Sequence, residues 1–100
     1  MPNPRYESGR RFEYRQRDAW RERGYEVMRT AGSHGPYDLI AVHPRRPVVL
    51  IQCKVVKTQA EAERLIRTFK KSPPLLPSGP YTQVMEVWVR KVKRVVSGWV

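Results

Sequence analysis

The chain has 100 residues and a mass of 11.8 kDa, which is the length of one domain. Its 20 Lys and Arg residues against 9 Asp and Glu give a net charge of +11, which favours a polyanion as partner. The single cysteine excludes an internal disulfide framework and is typical of a reducing compartment. The longest apolar run, Val48–Ile51, is too short to cross a bilayer, and the first residues lack the apolar stretch of a signal peptide. We therefore expect a cytoplasmic protein with no membrane partner.

The first predicted element is a helix over Gly9–Arg23. Ser8 is its predicted N-cap, and Gly24 its stop, because glycine adopts a left-handed conformation at little cost. A short strand over 25–29 and a glycine-containing loop over 31–36 are predicted to follow.

Two apolar strands are predicted next, over 38–42 and 48–55. A five-residue turn with two prolines, His43–Pro47, joins them. Both strands are apolar on both faces until polar residues near their ends, as expected of central strands that are covered on two sides.

The second helix has the clearest start signal in the sequence. Thr58 and Glu61 form a capping box, and apolar residues follow from Ala62 at i, i+3, i+4 and i+7. Further strands are predicted over 82–90 and 92–100, the last one at the sheet edge. This order predicts one α/β domain over residues 1–100, in which helices flank a mixed β-sheet.

Three polar side chains meet at one end of the predicted hairpin. If the turn pairs Val42 with Val48, then Asp38 lies opposite Gln52 and their side chains share a face. Lys54 lies two residues further along the same strand and shares that face. A shift of the register by one residue would separate the three side chains.

This set of residues is suited to binding a hard divalent cation. Asp38 offers a carboxylate, Gln52 a side-chain carbonyl and Cys53 its backbone carbonyl, and Mg²⁺ prefers such oxygen ligands. Lys54 could orient or deprotonate an attacking water, or hold a phosphate. The alternative is that the trio is only the polar end of a hairpin. The Cys53 side chain is predicted to be a small buried group on the opposite strand face.

Asp38 followed by Gln52-x-Lys54, behind a helix that carries Glu13, resembles the PD-(D/E)xK nuclease superfamily. The chain is most similar there to the archaeal-type Holliday junction resolvases, dimeric Mg²⁺-dependent enzymes that cut four-way DNA junctions. The resemblance covers roughly residues 5–57. Its motifs are Gly9-x-x-x-Glu13, Arg23–Arg29, Ala31-Gly32-Ser33, Asp38–Ala41 and Gln52-Cys53-Lys54.

The resemblance implies a restriction-endonuclease-like fold and a structure-selective endonuclease that makes paired cuts in opposite strands of a junction. By position, Glu13 completes the metal site formed by Asp38, Gln52 and Cys53, and Lys54 is the catalytic lysine. Arg29 matches an arginine near the scissile phosphate, and Ser33 matches the serine of a mobile loop. The expected cofactor is Mg²⁺, with Mn²⁺ as a substitute. The alternative for Glu13 is a solvated helix acid paired with Arg17 at i+4.

The sequence departs from the family pattern at two positions. Gln52 stands where most members have a glutamate, which removes one negative charge and predicts a higher Mg²⁺ requirement. Tyr14 stands where the family often has an arginine. The predicted DNA-contacting residues are Arg10, Arg11, Arg15, Arg29, Ser33, His34 and Lys57, and Arg45, Arg46, Lys70 and Lys71 are further candidates for phosphate contact.

Paired cuts require two active sites, which implies a homodimer. The apolar C-terminal segment, Met85–Val100, is consistent with a dimer because a domain with 40% hydrophobic residues has a thin core. The alternative is that this segment closes the core of its own chain. Two other functions also remain open: a general duplex-cutting or nicking nuclease of the same fold, and a non-catalytic basic DNA-binding protein. The resemblance leaves archaeal, bacterial and phage hosts open.

Overall fold

The computed structural model describes residues 4–30 and 35–100, with side chains from Ser8 onward. Along the chain the elements are α1 (Pro4–Glu22), β1 (Glu26–Arg29), β2 (Leu39–His43), β3 (Arg46–Val56), α2 (Gln59–Lys71), β4 (Tyr81–Val89) and β5 (Arg94–Trp99). Two of the predicted site residues, Ser33 and His34, lie outside the described residues.

The five strands form one sheet in the order β1-β2-β3-β4-β5. Strands β3 and β4 are parallel and are connected through α2, whereas the other neighbouring pairs are antiparallel. Helix α1 packs against β1, β2 and β3, and α2 packs against β3, β4 and β5. This is the predicted mixed sheet flanked by helices, and β5 lies at the predicted edge.

Helix α1 begins five residues before its predicted start. Ser8 is inside the helix, so its prediction as N-cap is wrong. Pro4 is the first helical residue, a position that suits proline because its backbone φ is already helical and its missing N–H is not needed. The predicted stop is confirmed: Gly24 has a φ of 94°, and its N–H donates to the Arg21 carbonyl at 3.0 Å.

The sheet has a buried cluster on each face. On the α1 face the cluster contains Trp20, Leu39, Ile51 and Val84. On the α2 face it contains Phe69, Val87 and other apolar residues. The Thr58 hydroxyl accepts from the Glu61 N–H at 3.3 Å, which confirms the predicted N-cap of α2.

The predicted register of the β2–β3 hairpin is confirmed near the site and is wrong near the turn. Leu39 pairs with Ile51 and Ile40 with Leu50, as predicted. At the other end, however, His43 pairs with Arg46, and the register shifts between Ala41 and His43. The turn is therefore shorter than five residues. The His43 Nδ1 accepts from the Arg45 N–H at 3.0 Å and holds this tighter turn.

The C-terminal apolar segment serves mostly the core of its own chain. Met85, Val87 and Val89 are buried beneath α2, and Val96 and Val100 pack against the same cluster. Of the described residues in this segment, the exposed large hydrophobic ones are Val92 and Trp99. The segment therefore gives little support to a dimer. Among the residues that the structure describes, no helix is both long and apolar enough to cross a membrane.

Candidate active site

Asp38 lies at the open end of the hairpin, one residue before β2. Its Oδ2 accepts from the Cys53 N–H at 2.8 Å, so the carboxylate rests against β3 between Gln52 and Lys54. Its backbone N–H donates to the Ile51 carbonyl at 2.9 Å. These bonds fix the carboxylate beside the predicted Gln52-x-Lys54 motif.

Gln52 and Lys54 share one face of β3, as predicted. In the parallel ladder they pair with Met85 and Val87, which belong to the cluster on the α2 face, whereas Cys53 packs on the α1 face. The strand ladder ends at Leu39, so the predicted direct pair of Asp38 with Gln52 does not form. Gln52 is half-buried and Lys54 is exposed.

Glu13, on α1, is held near Asp38 and Arg29. Its Oε1 accepts from the Arg29 Nη2 at 3.5 Å, and both side chains are mostly buried. Burial raises the pKa of Glu13, and the negative charge of Asp38 raises it further, against the opposing charges of Arg29 and Arg10. The two carboxylates therefore lie within electrostatic reach of each other, as the predicted metal site requires.

The alternative pairing of Glu13 with Arg17 is wrong. The Arg17 Nε donates to Asp18 Oδ1 at 3.0 Å, and its guanidinium lies 4.8 Å from the centre of the Tyr14 ring. A contact between residues distant in sequence, Glu13 with Arg29, thus replaces the local one.

Tyr14 is the residue that fixes Arg29. The Arg29 Nη1 donates to the Tyr14 hydroxyl at 3.1 Å, and its guanidinium stacks over the ring at 4.4 Å. The Arg29 Nε is buried and has no hydrogen-bond partner among the described residues. Sequence reasoning treated Tyr14 only as a departure from the family pattern, although its place beside Glu13 in the chain was a usable signal.

The Cys53 side chain is half-buried against the cluster on the α1 face, which agrees with its predicted packing role. Burial raises the pKa of the thiol, and Asp38 adds to this effect. The thiol is therefore neutral at ordinary pH, and the oxygen of its backbone carbonyl is the group suited to a hard cation.

The donor types of the predicted set suit a divalent cation such as Mg²⁺, although the structure places the Gln52 side chain on the α2 face with Met85, whereas Glu13 lies on α1. The set consists of two carboxylates, the Gln52 amide oxygen and the Cys53 backbone carbonyl, all of which are hard oxygen donors. In residues 4–30 and 35–100, no three His, Cys, Asp or Glu side chains cluster as a metal site. The amide of Gln52 is thus needed to complete the predicted set.

The predicted DNA-contacting residues do not lie on one side of α1. Arg10 is exposed and acts electrostatically on Glu13. Arg15 lies on the other flank of the helix, 4.5 Å over the ring of Trp88 in β4. Lys57 is exposed just beyond the end of β3.

Glu86 is a buried acid that sequence reasoning missed. Its Oε1 accepts from Gln16 Nε2 at 3.0 Å and from Trp20 Nε1 at 3.1 Å. These bonds tie α1 to β4 one turn beyond Glu13. The sequence signal was an acid with apolar residues on both sides, Val84-Met85 before it and Val87-Trp88 after it.

Comparison with known proteins agrees with this geometry. The model of the archaeal Holliday junction resolvase (Hjc) family matches residues 4–66. The solved structure of Archaeoglobus fulgidus Hjc, a Holliday junction resolvase from an archaeal hyperthermophile, aligns with a TM-score of 0.58 at 18% identity, covering 91% of this chain and 71% of that one. No curated protein matches the chain. The structural likeness shows the shared nuclease fold, and since the family match spans most of the sequence, the chain belongs to the archaeal Holliday junction resolvase family.

Proposed function

We propose that the protein is a metal-dependent endonuclease that resolves four-way DNA junctions by paired phosphodiester hydrolysis in opposite strands. The observation that carries the proposal is the fixed position of Asp38 against Cys53, within electrostatic reach of Glu13. The chain belongs to a resolvase family, which supports assigning these carboxylates and the adjacent lysine to phosphodiester cleavage.

The oxygens of Glu13, Asp38 and Gln52, with the backbone carbonyl of Cys53, would hold Mg²⁺, for which Mn²⁺ can substitute. When bound, the ion supplies a Lewis acid for the scissile phosphate and activates the attacking water. Burial raises the pKa of Glu13 and the charge of Asp38 raises it further, so a cation bound beside Glu13 would stabilise its ionised form, which supports this role.

Lys54 and Arg29 supply the fixed positive charges of the mechanism. Lys54 is exposed on the strand that carries Gln52, so its ammonium can reach a phosphate or orient a water. Arg29 is held by Tyr14 and Glu13 and stabilises the charge that develops on the phosphate oxygens. Ser33 and His34 are proposed to contact DNA from the adjoining loop.

Paired cutting requires two such sites related by two-fold symmetry, so we propose a homodimer as the active form. A junction presents four phosphate backbones to a protein with a net charge of +11, so binding should weaken steeply with salt.

The test compares one labelled four-way junction with a linear duplex built from the same arms. Wild type, Asp38→Asn and Asp18→Asn are each assayed with Mg²⁺ and with EDTA. Asp18 is the matched control because it is an exposed acid on α1. We expect paired nicks in the junction alone, retained by Asp18→Asn and lost in Asp38→Asn and in EDTA.

The other outcomes separate the two remaining functions. Equal cutting of junction and duplex would identify a general nuclease of this fold. Junction binding without cutting under any divalent cation would leave a basic DNA-binding protein. Light scattering at micromolar concentration measures the mass in solution. The mass of a single chain, in a sample that still cleaves the junction, would contradict the dimer.

A further inference from the structure

A groove lies between α1 and the ends of β3 and β4, and we call it the α1–β4 groove. Its volume is about 350 Å³, and its lining includes Arg11, Phe12, Arg15, Val55, Trp88 and Arg90. A second cavity of about 360 Å³ shares Val55 and Arg90 with it and extends it to Lys57 and Glu61. These volumes are in the range of small-molecule sites, about 300–1,000 Å³.

The floor of the groove is apolar and its rim is cationic. Val55 and Trp88 pair across β3 and β4 on the α1 face, and Phe12 lies over them with its ring 6.4 Å from that of Trp88. Arg11 and Arg90 stand at the rim. Neither forms a salt bridge with any residue that the structure describes, so their charge is available to an anion.

Arg15 and Trp88 form a cation–π contact in this groove. The Arg15 guanidinium lies 4.5 Å over the Trp88 ring. Aromatic rings and guanidinium planes are the surfaces on which proteins stack unpaired bases, and flanking cations hold the phosphates of such strands. An apolar floor beside a cationic rim therefore matches a ligand that joins a flat base to a phosphodiester.

The strand ends that carry the groove are fixed. The Arg90 N–H donates to the Val56 carbonyl at 3.0 Å, and the Lys91 N–H donates to the Lys57 carbonyl at 3.0 Å. These bonds hold the residues that follow β4 against the end of β3 and the residue after it, where the parallel ladder itself ends. The groove is thus built on a hydrogen-bonded end of the sheet.

The groove lies on the opposite flank of α1 from the candidate active site. Glu13 contacts Arg29 of β1, whereas Arg15, two residues later, contacts Trp88 of β4. Two residues correspond to roughly 200° around a helix whose diameter with side chains is about 10–12 Å. The candidate active site and the groove are therefore separated by about the width of the helix. At ~3.4 Å per nucleotide, this width corresponds to about three steps along a DNA strand.

We propose that the α1–β4 groove binds one unpaired nucleotide of the junction strand, a few steps from the bond that is cut. Its base stacks on the pair formed by Arg15 and Trp88, and its phosphate binds Arg11 and Arg90. This inference rests on the proposed function. It adds the feature of the junction that the protein selects, which is an unpaired nucleotide. A branch point can release a base from its stack more readily than a continuous duplex can, so the groove favours branched DNA.

The test measures binding in EDTA, where the proposed cleavage cannot occur. Fluorescence anisotropy follows a fluorescein-labelled short single-stranded oligothymidylate and a labelled duplex. The variants are Trp88→Leu and the double variant Arg11→Gln/Arg90→Gln. Their controls are Trp99→Leu, which removes a 45%-exposed tryptophan of β5 that does not line the groove, and Arg64→Gln/Arg67→Gln, which removes the same charge from α2.

We expect Trp88→Leu to weaken binding of the single strand about tenfold while duplex affinity stays nearly unchanged. The Arg11/Arg90 double variant should weaken single-strand binding more than its α2 control does. Both rim arginines are exposed, so this variant tests the groove even if Trp88→Leu is poorly folded. A 2-aminopurine base in the oligonucleotide should report stacking by a change in emission that is lost in Trp88→Leu.

Equal weakening of single strand and duplex by Trp88→Leu, or an effect no larger than that of Trp99→Leu, would overturn the proposal. Trp88→Leu should weaken oligonucleotide binding in the Asp38→Asn background as much as it does in wild type, which separates the groove from the cleavage site. If the junction is never cut but the Trp88-dependent binding persists, the proposed function fails and the groove stands. If the junction is cut and the groove variants bind normally, the groove fails alone.

Discussion

Strand β4 carries one buried polar side chain under each face of the sheet, and the two differ in charge and in their partners. On the α1 face, a single carboxyl oxygen of Glu86 accepts from Gln16 and Trp20. Both partners are buried side chains.

On the α2 face, the neutral amide of Gln83 binds the Tyr37 hydroxyl and both backbone groups of Leu75, the latter at 3.1 Å each. Leu75 is in an exposed loop, so water can take over these two bonds. Each buried group supports a different part of the candidate site. Glu86 holds the helix that carries Glu13, and Gln83 holds the residue before Asp38.

The largest expected effect is the loss of the Glu86 acceptor. In Glu86→Leu two buried donors lose their partner, and each unsatisfied donor costs about 1–3 kcal/mol, so the free energy of unfolding should fall by about 2–6 kcal/mol. Urea titration measures this loss. Glu86→Gln is the control because it keeps an acceptor oxygen, and it should lose less than half as much. Equal stability of the two variants would show that these hydrogen bonds do not anchor α1.

Gln83→Leu should be less harmful than Glu86→Leu because part of its network faces solvent. We expect a loss of about 1–2 kcal/mol, mainly from the Tyr37 hydroxyl that is left without an acceptor. Urea titration of Tyr37→Phe, Gln83→Leu and the double variant gives the coupling between the two side chains. The double variant should be more stable than the sum of the single losses predicts, and simple additivity would contradict the contact.

A change at Gln52 tests whether the neutral amide limits metal affinity. Gln52→Glu adds a negative charge to the proposed donor set, so the Mg²⁺ concentration at half-maximal cleavage should fall by roughly an order of magnitude. Ser78→Glu adds the same charge to an exposed loop and serves as the control. An unchanged midpoint in Gln52→Glu would remove Gln52 from the metal site.

Local signals predicted the fold well because most of its elements are specified by neighbouring residues. The cap at Thr58 and the stop at Gly24 depend on contacts within a few residues, and both are confirmed. The assumed pairing of Val42 with Val48 also gave the register at Ile40 correctly. The predicted length of the hairpin turn was wrong because a hydrogen bond between His43 and Arg45 shortens the turn. The two prolines in this segment did not indicate that bond.

The parts of the site that sequence reasoning missed depend on contacts between distant residues. Gln16 and Glu86 are 70 positions apart, so no local pattern relates them. For the same reason Glu13 was weighed against a partner four residues away, although it binds Arg29 on another element. Trp88 was counted only as apolar surface, because its contact with Arg15 requires the folded sheet.

The smallest expected effect concerns the ionisation of Tyr37, whose hydroxyl donates to the neutral amide of Gln83. Burial raises its pKa to about 12, and Tyr81 adds to the shift. Because the folded pKa exceeds the usual value near 10, the stability that this phenol contributes is fully present below pH 10 and is lost as pH rises through about 12. Absorbance titration in EDTA should show a late phenolate step that is absent from Tyr37→Phe. In Tyr81→Phe the step should move slightly lower, because one source of repulsion is gone. A Tyr37 step at pH 10 would mean that the hydroxyl is open to solvent, and Gln83 would then lack the buried partner that distinguishes it from a surface amide.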